Sequence, residues 1–447
     1  MTFSFPIQSR YRIGTPRSFS AAGQREAAGG FCGLAAQLLI CSALLIVTLA
    51  VPARAQMSLQ EAVLIATKND PGVEALRQEV AAKTVDIDAA RDAYFPSISL
   101  SGESSTTDSD GPGVTLSVTQ VLFDWGKTRA QIEEASQVRV QAVSDLKMAI
   151  EDLTFEIAGF FLDVEVMDRK IANTKDYMAF ARRLSDQALD RARAGVSDNS
   201  EVARARLEIA RADEKMSELL ANREIALAQI EFLIGQPFSS VLRPPAIQFS
   251  QHYGSASKIR SALKLAPEYI AARASLAEAE AGVQTAKAQR FPTINLQAQG
   301  RTDLNGGDTQ TALGISAGVD LNSRGFGQRQ IQSARLEVEG AKASLRGAER
   351  QLMNAANNAL ERLDLLRRSE RSKAAQLVES EKVLSSYEDQ FIAGQREILD
   401  LLTTGRDLYD AQIDEIDTYD DRKRTEYEAA KELGVLGTML SVRGARE

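Results

Sequence analysis

The 447-residue chain is poor in several residue types that chemistry needs. It has two cysteines, Cys32 and Cys41, and both lie in one apolar run, FCGLAAQLLICSALLIVTLAV at 31–51. A chain whose remainder lacks cysteine is held together by packing and not by disulfides. It has one histidine, His252, in the polar stretch QFSQHYGSAS, where solvent exposure is expected. One histidine leaves no His/Cys metal cluster and no Ser-His or Cys-His pair. A phosphate loop is missing too: Gly126-Lys127-Thr128 resembles the end of one, but its earlier glycine would have to be residue 121, which is Val121. No enzyme activity, metal or cofactor is therefore expected. Aromatics make up only 6% of the chain, and there is no proline-rich or low-complexity block, while 26% is charged. That is the composition of a folded protein.

The apolar run reads as the core of a signal peptide spanning 1–55. Arg10, Arg12, Arg17 and Arg25 supply a positive, unusually long leading region, and Ala53-Arg54-Ala55 fits the small-x-small cleavage rule. A lipoprotein site at Cys41 is disfavoured because Ile40 stands where a small residue is needed. The competing reading is a transmembrane anchor, since about 20 apolar residues can span a bilayer. The full chain has 53 basic and 61 acidic residues; removing the leader's five arginines and one glutamate leaves 48 against 60, net −12. That balance disfavours nucleic acid as a partner.

What is abundant is repetition. Residues 94–100 read YFPSISL and residues 290–296 read RFPTINL. At an offset of 196, Pro71 falls on Pro267, Ala90 on Ala286 and Phe95-Pro96 on Phe291-Pro292. Beyond a polar loop the offset becomes 199, which brings Gly126 onto Gly325, Leu146 onto Leu345 and Ala194-Gly195 onto Ala393-Gly394. A loop slip between two in-register blocks is what duplication leaves. The expected domains are repeats at 56–250 and 251–447.

Each repeat has one grammar. A helix (57–93; 257–290) ends at Phe-Pro, because the residue before proline is pushed out of the helical region. Alternating segments on either side of a polar loop follow, and period two with one apolar face predicts strands at about 96–105, 113–124, 293–302 and 311–323. Then comes a helix of about 70 residues, roughly 100 Å long, with apolar positions at 135, 142, 146 and 153 in coiled-coil spacing. A helix of about 40 residues closes each half.

Two hairpins per chain are too few for a stable sheet, so partner strands from other copies are expected. The strand lengths suit a tilted transmembrane barrel, and three copies would supply twelve strands and close the edge. Phe95, Phe123 with Trp125, Phe291 and Phe326 mark the four strand–helix junctions. Together they read as an interfacial girdle against membrane lipid; the alternative, for each taken singly, is a core plug at the end of an element.

With these pieces in place, the chain resembles the TolC family of outer-membrane efflux and secretion channels. The resemblance covers essentially all of the mature chain. It is carried by SLQEAVLIATKNDP, YFPSISLSG, VTQVLFDWGKTRAQI and FIAGQREILDLLTTGRDLYDAQ. It implies a mainly α fold with a small membrane β part. The expected assembly is a homotrimer whose 12-strand outer-membrane barrel, four strands per chain, continues into a long periplasmic α-helical barrel of coiled-coil hairpins. It further implies a periplasmic adaptor (membrane fusion protein) and an inner-membrane pump of RND or ABC type, in tripartite efflux or type I secretion.

The resemblance also implies roles. Gly195 and Gly394 would form the hairpin turns at the periplasmic mouth. In the family's second turn an aromatic precedes the glycine by three, an arginine follows by two, and acids follow by six and nine. Here these positions are Phe391, Arg396, Asp400 and Thr403, so one acid is lost. Three Asp400 carboxylates would ring the axis as a constriction. Arg396 paired with Glu201 would hold the mouth shut, with Phe391 beside them. The alternative for Arg396 is ordinary i,i+4 pairing with Asp400, about 0.3–0.5 kcal/mol. A pore-less periplasmic helical-hairpin adaptor or structural coiled coil is the competing function. It would be expected to show one hairpin and a β-rich lipoyl-like domain. Cargo is not legible.

Overall fold

A computed structural model of the chain describes residues 56–103, 112–304, 306, 309–319 and 327–444. The expected leader, residues 104–111 of the first loop, 305, 307 and 308 of the second, and Phe326 lie outside these residues.

A two-residue strand, β1 (Gln56–Met57), pairs in parallel with β4 (Ser240–Val241). Helix α1 (Leu59–Asn69) starts on a Ser58 cap that accepts the Glu61 N–H at 3.2 Å. Asp70 is extended, with φ −68° and ψ 122°, and accepts the Val73 N–H at 2.8 Å, so α2 (Pro71–Asp92) begins afresh. The single helix expected over 57–93 is thus two. The rule applied at Phe-Pro acts equally at Asp70-Pro71. The helix expected over 257–290 is likewise divided at Lys264–Ala266, before Pro267, into α6 (Ala256–Leu263) and α7 (Pro267–Ala288).

Strands β2 (Ser97–Glu103) and β3 (Gly113–Phe123) lead into α3 (Lys127–Arg193), which has 67 residues and is roughly 100 Å long. The chain returns along α4 (Asn199–Ile234) and passes through α5 (Phe249–Tyr253), which carries the exposed His252. After α6 and α7 come β5 (Thr293–Asp303), β6 (Gln310–Gly318), α8 (Gln328–Ile392), α9 (Ile398–Glu432) and α10 (Leu436–Gly444).

The two hairpins form one four-stranded antiparallel sheet, ordered β2–β3–β5–β6. This corrects the expectation that strand partners come only from other copies: β3 pairs with β5 from Gly113↔Asp303 to Phe123↔Ile294. Both outer strands nevertheless have one neighbour each among the described residues. Two apolar clusters hold the helices. One gathers Leu59, Ile157, Phe161, Ile230, Phe249 and Tyr427 where the short elements meet the long helices. The other gathers Leu184, Val202, Phe391, Ile398 and Leu401 toward the α3–α4 and α8–α9 turns.

Candidate functional site

The sheet divides its residues by register. Cross-strand partners share a face, so Ile98, Leu100, Leu116, Val118, Ile294, Leu296, Ala298, Leu313, Ile315 and Ala317 lie on one side. Ser97, Ser99, Ser101, Thr115, Ser117, Thr119, Asn295, Gln297, Gln299 and Ser316 lie on the other. The apolar side is bare: Ile98 is 72% exposed, Leu100 71%, Leu313 77% and Ile315 71%. One apolar and one hydroxyl- and amide-rich face is the pattern of a strand with lipid on one side and water on the other. No described helix is long and apolar enough to cross a membrane.

At the helix end of the sheet the expected aromatics are partly brought together. Trp125 stacks on Phe291 with ring centroids 4.7 Å apart, meets Phe123 edge-on at 4.9 Å, and donates Nε1–H to the Pro292 carbonyl at 3.0 Å. Trp125 itself sits at φ +58°, beside Gly126 at +84°. Left-handed geometry in a tryptophan costs on the order of 1 kcal/mol, which the ring contacts offset. Asp124 supports this turn by accepting the Gly126 and Thr128 N–H groups at 3.0 and 2.7 Å, capping α3. Phe95 stands apart from this trio and is 66% exposed.

At the opposite end of α3 and α8 the two helices stop in the same way. Gly195 (φ +74°) and Gly394 (+75°) are left-handed. Val196 N–H bonds Arg191 O at 2.9 Å and Gly195 N–H bonds Ala192 O at 3.1 Å; Gln395 to Gln390 and Gly394 to Phe391 repeat the pattern at 2.8 and 2.9 Å. This paired closure needs a residue that tolerates positive φ.

Around the second turn, Arg396 is held within its own hairpin. Its guanidinium lies 4.0 Å over the Tyr387 ring, Nε donates to Gln390 at 2.9 Å, and Nη1 reaches Asp400 at 3.4 Å. Asp400 is 42% exposed at its side chain. Thr403 turns its hydroxyl onto the Leu399 carbonyl at 2.9 Å. Phe391 is buried beneath Arg191, whose guanidinium lies 5.1 Å from its ring centroid. Within the chain Arg396 therefore pairs with Asp400 and not with Glu201. Among the described residues the buried Oε2 of Glu201 has no hydrogen-bond partner, nor have Arg191 Nε and Ser197 Oγ.

Two features escaped the reading of the sequence. Above the turns, Gly405 of α9 meets α3 so closely that a Cβ there would stand 2.2 Å from Phe180 Cε1. Alongside, Tyr177 and Tyr409 stack at 4.8 Å, and Tyr177 donates to Glu208 at 3.2 Å. A lone glycine inside the helical run LLTTGRDLYD was the available signal. Farther along, the long helices also bury acids: Glu165 and Glu426 are among them. Glu165 accepts from Arg169 at 2.8 Å and Tyr419 at 2.9 Å, and pairs with Arg243 at 2.8 Å. Burial and the Glu165 carboxylate push the Tyr419 phenol up to about 12. Glu426, 2% exposed at its side chain, pairs with Arg367 and Arg422, each at 3.4 Å, and burial pushes the nearby Lys423 down. Nothing in a single sequence distinguishes these acids from exposed neighbours.

The same architecture recurs in known proteins. The outer-membrane channel OprN superposes with a TM-score of 0.73 at 18% identity, covering 84% of this chain and 89% of that one. Protein CyaE of Bordetella pertussis is 27% identical over 310 residues, 65% of each chain, so the match spans a little under two thirds of that relative. The outer membrane efflux protein BepC of Brucella suis is 23% identical over 396 residues, 84% of this chain and 85% of that one. The family model described as outer membrane efflux protein matches residues 64–236 and 259–434, well over half of the chain. The chain belongs to the outer membrane efflux protein family.

Proposed function

We propose that three copies of the chain close their sheets edge to edge into a twelve-stranded barrel in the outer membrane. The long helices would continue it as a tunnel through the periplasm, making a passive exit duct for efflux or type I secretion. The observation that carries this reading is the sheet. It has an exposed apolar face, a polar opposite face and two edges that are unpaired among the described residues, and only closure satisfies such edges in a bilayer. Strands β3 and β5 have 11 residues each, enough to cross when tilted. In this reading residues 1–55 are a cleaved signal peptide, 56–250 and 251–447 are two structural repeats, and Phe95, Phe123, Trp125, Phe291 and Phe326 lie at the membrane interface.

Gly195 and Gly394 then mark the periplasmic mouth, which a periplasmic adaptor and an inner-membrane pump, of RND or ABC type, would engage. Three Asp400 side chains converge there as the constriction. With Asp400 occupied by Arg396 in the same hairpin, the Arg396–Glu201 tie forms between neighbouring copies. The Glu201 oxygen, unpartnered among the described residues, supports that partner choice, and Phe391 lies buried close by under Arg191.

The test is electrical. Mature protein in detergent, inserted into a planar bilayer, is expected to give a small cation-selective conductance that changes in Asp400→Ala. Conductance indifferent to that change removes Asp400 as the constriction. A water-soluble monomer without conductance overturns the duct.

A further inference from the structure

The four strands of the β2–β3–β5–β6 sheet carry three charged side chains among the described residues: Glu103, Arg301 and Asp303. All three stand at one place. Register aligns Glu103, Gly113 and Asp303 across β2, β3 and β5, and Arg301 sits in the next polar-face row beside Thr115 and Gln310. This is the loop end of the sheet, away from the Trp125 cluster. Arg301 Nη1 lies 3.8 Å from Glu103 Oε2, and its Nε lies 3.4 Å from Asp303 Oδ1. A notch admits the guanidinium: a Cβ on Gly113 would stand 3.2 Å from Arg301 Nε and 3.3 Å from Asp303 Oδ1. The Leu304 N–H to Pro112 carbonyl bond, 2.8 Å, extends the ladder past this point and holds the ends of the strands in line.

We propose that this triad is an outer charge filter of the duct, favouring small cations, with Arg301 as the residue that limits the preference. The inference rests on the barrel reading above, in which the polar face lines the lumen. Each chain places two carboxylates against one guanidinium on a wall whose other polar groups are hydroxyls and amides, with Val121, Ala312 and glycines between them. Three chains give a ring with a net charge of three negative units. In salt of about 0.1 M the screening length is about 10 Å, comparable with the distance from a barrel wall to its axis, so the ring acts on ions in passage. Arg301 holds Glu103 and Asp303 to the wall and cancels one of them. Without it, both carboxylates face the lumen unpaired.

The experiment is the reversal potential of single channels in a KCl gradient, for wild type, Arg301→Gln, Arg301→Lys and Glu103→Gln. Each is measured in the natural background and in Asp400→Ala, so that the periplasmic constriction does not mask the outer one. Arg301→Gln is expected to raise the potassium-to-chloride permeability ratio about twofold or more, growing at lower salt. Glu103→Gln is expected to lower it by a similar factor, and Arg301→Lys to match wild type. Conducting channels in which Arg301→Gln and Glu103→Gln leave the ratio unchanged overturn the filter while sparing the duct. If wild type itself forms no channel, the duct reading fails and the filter with it. Should Arg301→Gln not assemble, Glu103→Gln carries the test, because its side chain is 67% exposed.

Discussion

The contact between Gly405 and Phe180 gives a prediction whose sign depends on the neighbour. Ala at an exposed helical position is worth about 1 kcal/mol more than Gly, so Gly405→Ala on an unencumbered helix would stabilise. Here the added Cβ would stand 2.2 Å from Phe180 Cε1, 2.7 Å from Cζ and 3.0 Å from Cδ1. The ring has little room to retreat, being 8% exposed, with Tyr177 stacked at 6.3 Å and the Arg183 guanidinium 5.5 Å from its centre. Overpacking of this kind costs about 1–3 kcal/mol. The clash therefore outweighs the helical gain, and Gly405→Ala is expected to lower stability by up to about 2 kcal/mol. In a Phe180→Leu background the ring atoms are gone, and the same substitution should stabilise by about 1 kcal/mol. The coupling between the two sites is then about 1–3 kcal/mol. The assay is the urea midpoint of the 222-nm helical signal for the four proteins of the cycle. A raised midpoint for Gly405→Ala with Phe180 intact would refute the packing argument.

Glu151, 5% exposed on α3, has its carboxyl pushed above the usual 4.5, chiefly by burial, against the Gly437 N–H bond at 3.2 Å and the Lys147 charge. The folded chain keeps this proton at pH values where the unfolded chain has lost it, so stability falls as pH rises from 4.5 through the folded value. Glu151→Gln should therefore be more stable than wild type at neutral pH and equal to it below 4.5, read from urea midpoints at both. Trp125 is the sole tryptophan and is 47% exposed, so fluorescence reports the strand–helix junction directly. Lipids brominated near the headgroup should quench it more than lipids brominated at the chain ends; the reverse order would put the junction in the bilayer interior.

The strands and the turns were legible because their cause is local. Alternation along Val114–Val118 and Leu313–Ala317 names a face, and Ala-Gly at 194–195 and 393–394 supplies the positive φ that a helix end requires. The breaks at Asp70-Pro71 and before Pro267 follow from the same proline rule, which acts there within an otherwise helical stretch. What no local pattern reveals is company. Pairing of β3 with β5, the stacking of Trp125 on Phe291, and the burial of Glu165 and Glu426 join residues far apart in the chain. Arg396 shows the same limit: its i,i+4 partner Asp400 was readable, while the Tyr387 ring beneath it was not.

Edge-to-edge closure of three sheets is the centre of the account, and cysteine cross-linking addresses it directly. Both natural cysteines lie in the 31–51 run, so the chain from Gln56 onward offers a clean background. Within one chain β2 and β6 are separated by two strands, about 14 Å at the usual spacing, beyond the reach of a disulfide at about 7 Å. Ser99→Cys on β2 is combined in turn with cysteine at Ala312, Gly314 and Ser316 on β6, and the detergent-solubilised protein is oxidised. The account predicts covalent dimers and trimers at one register of the series, reversed by reductant. Monomer alone at every position would contradict it.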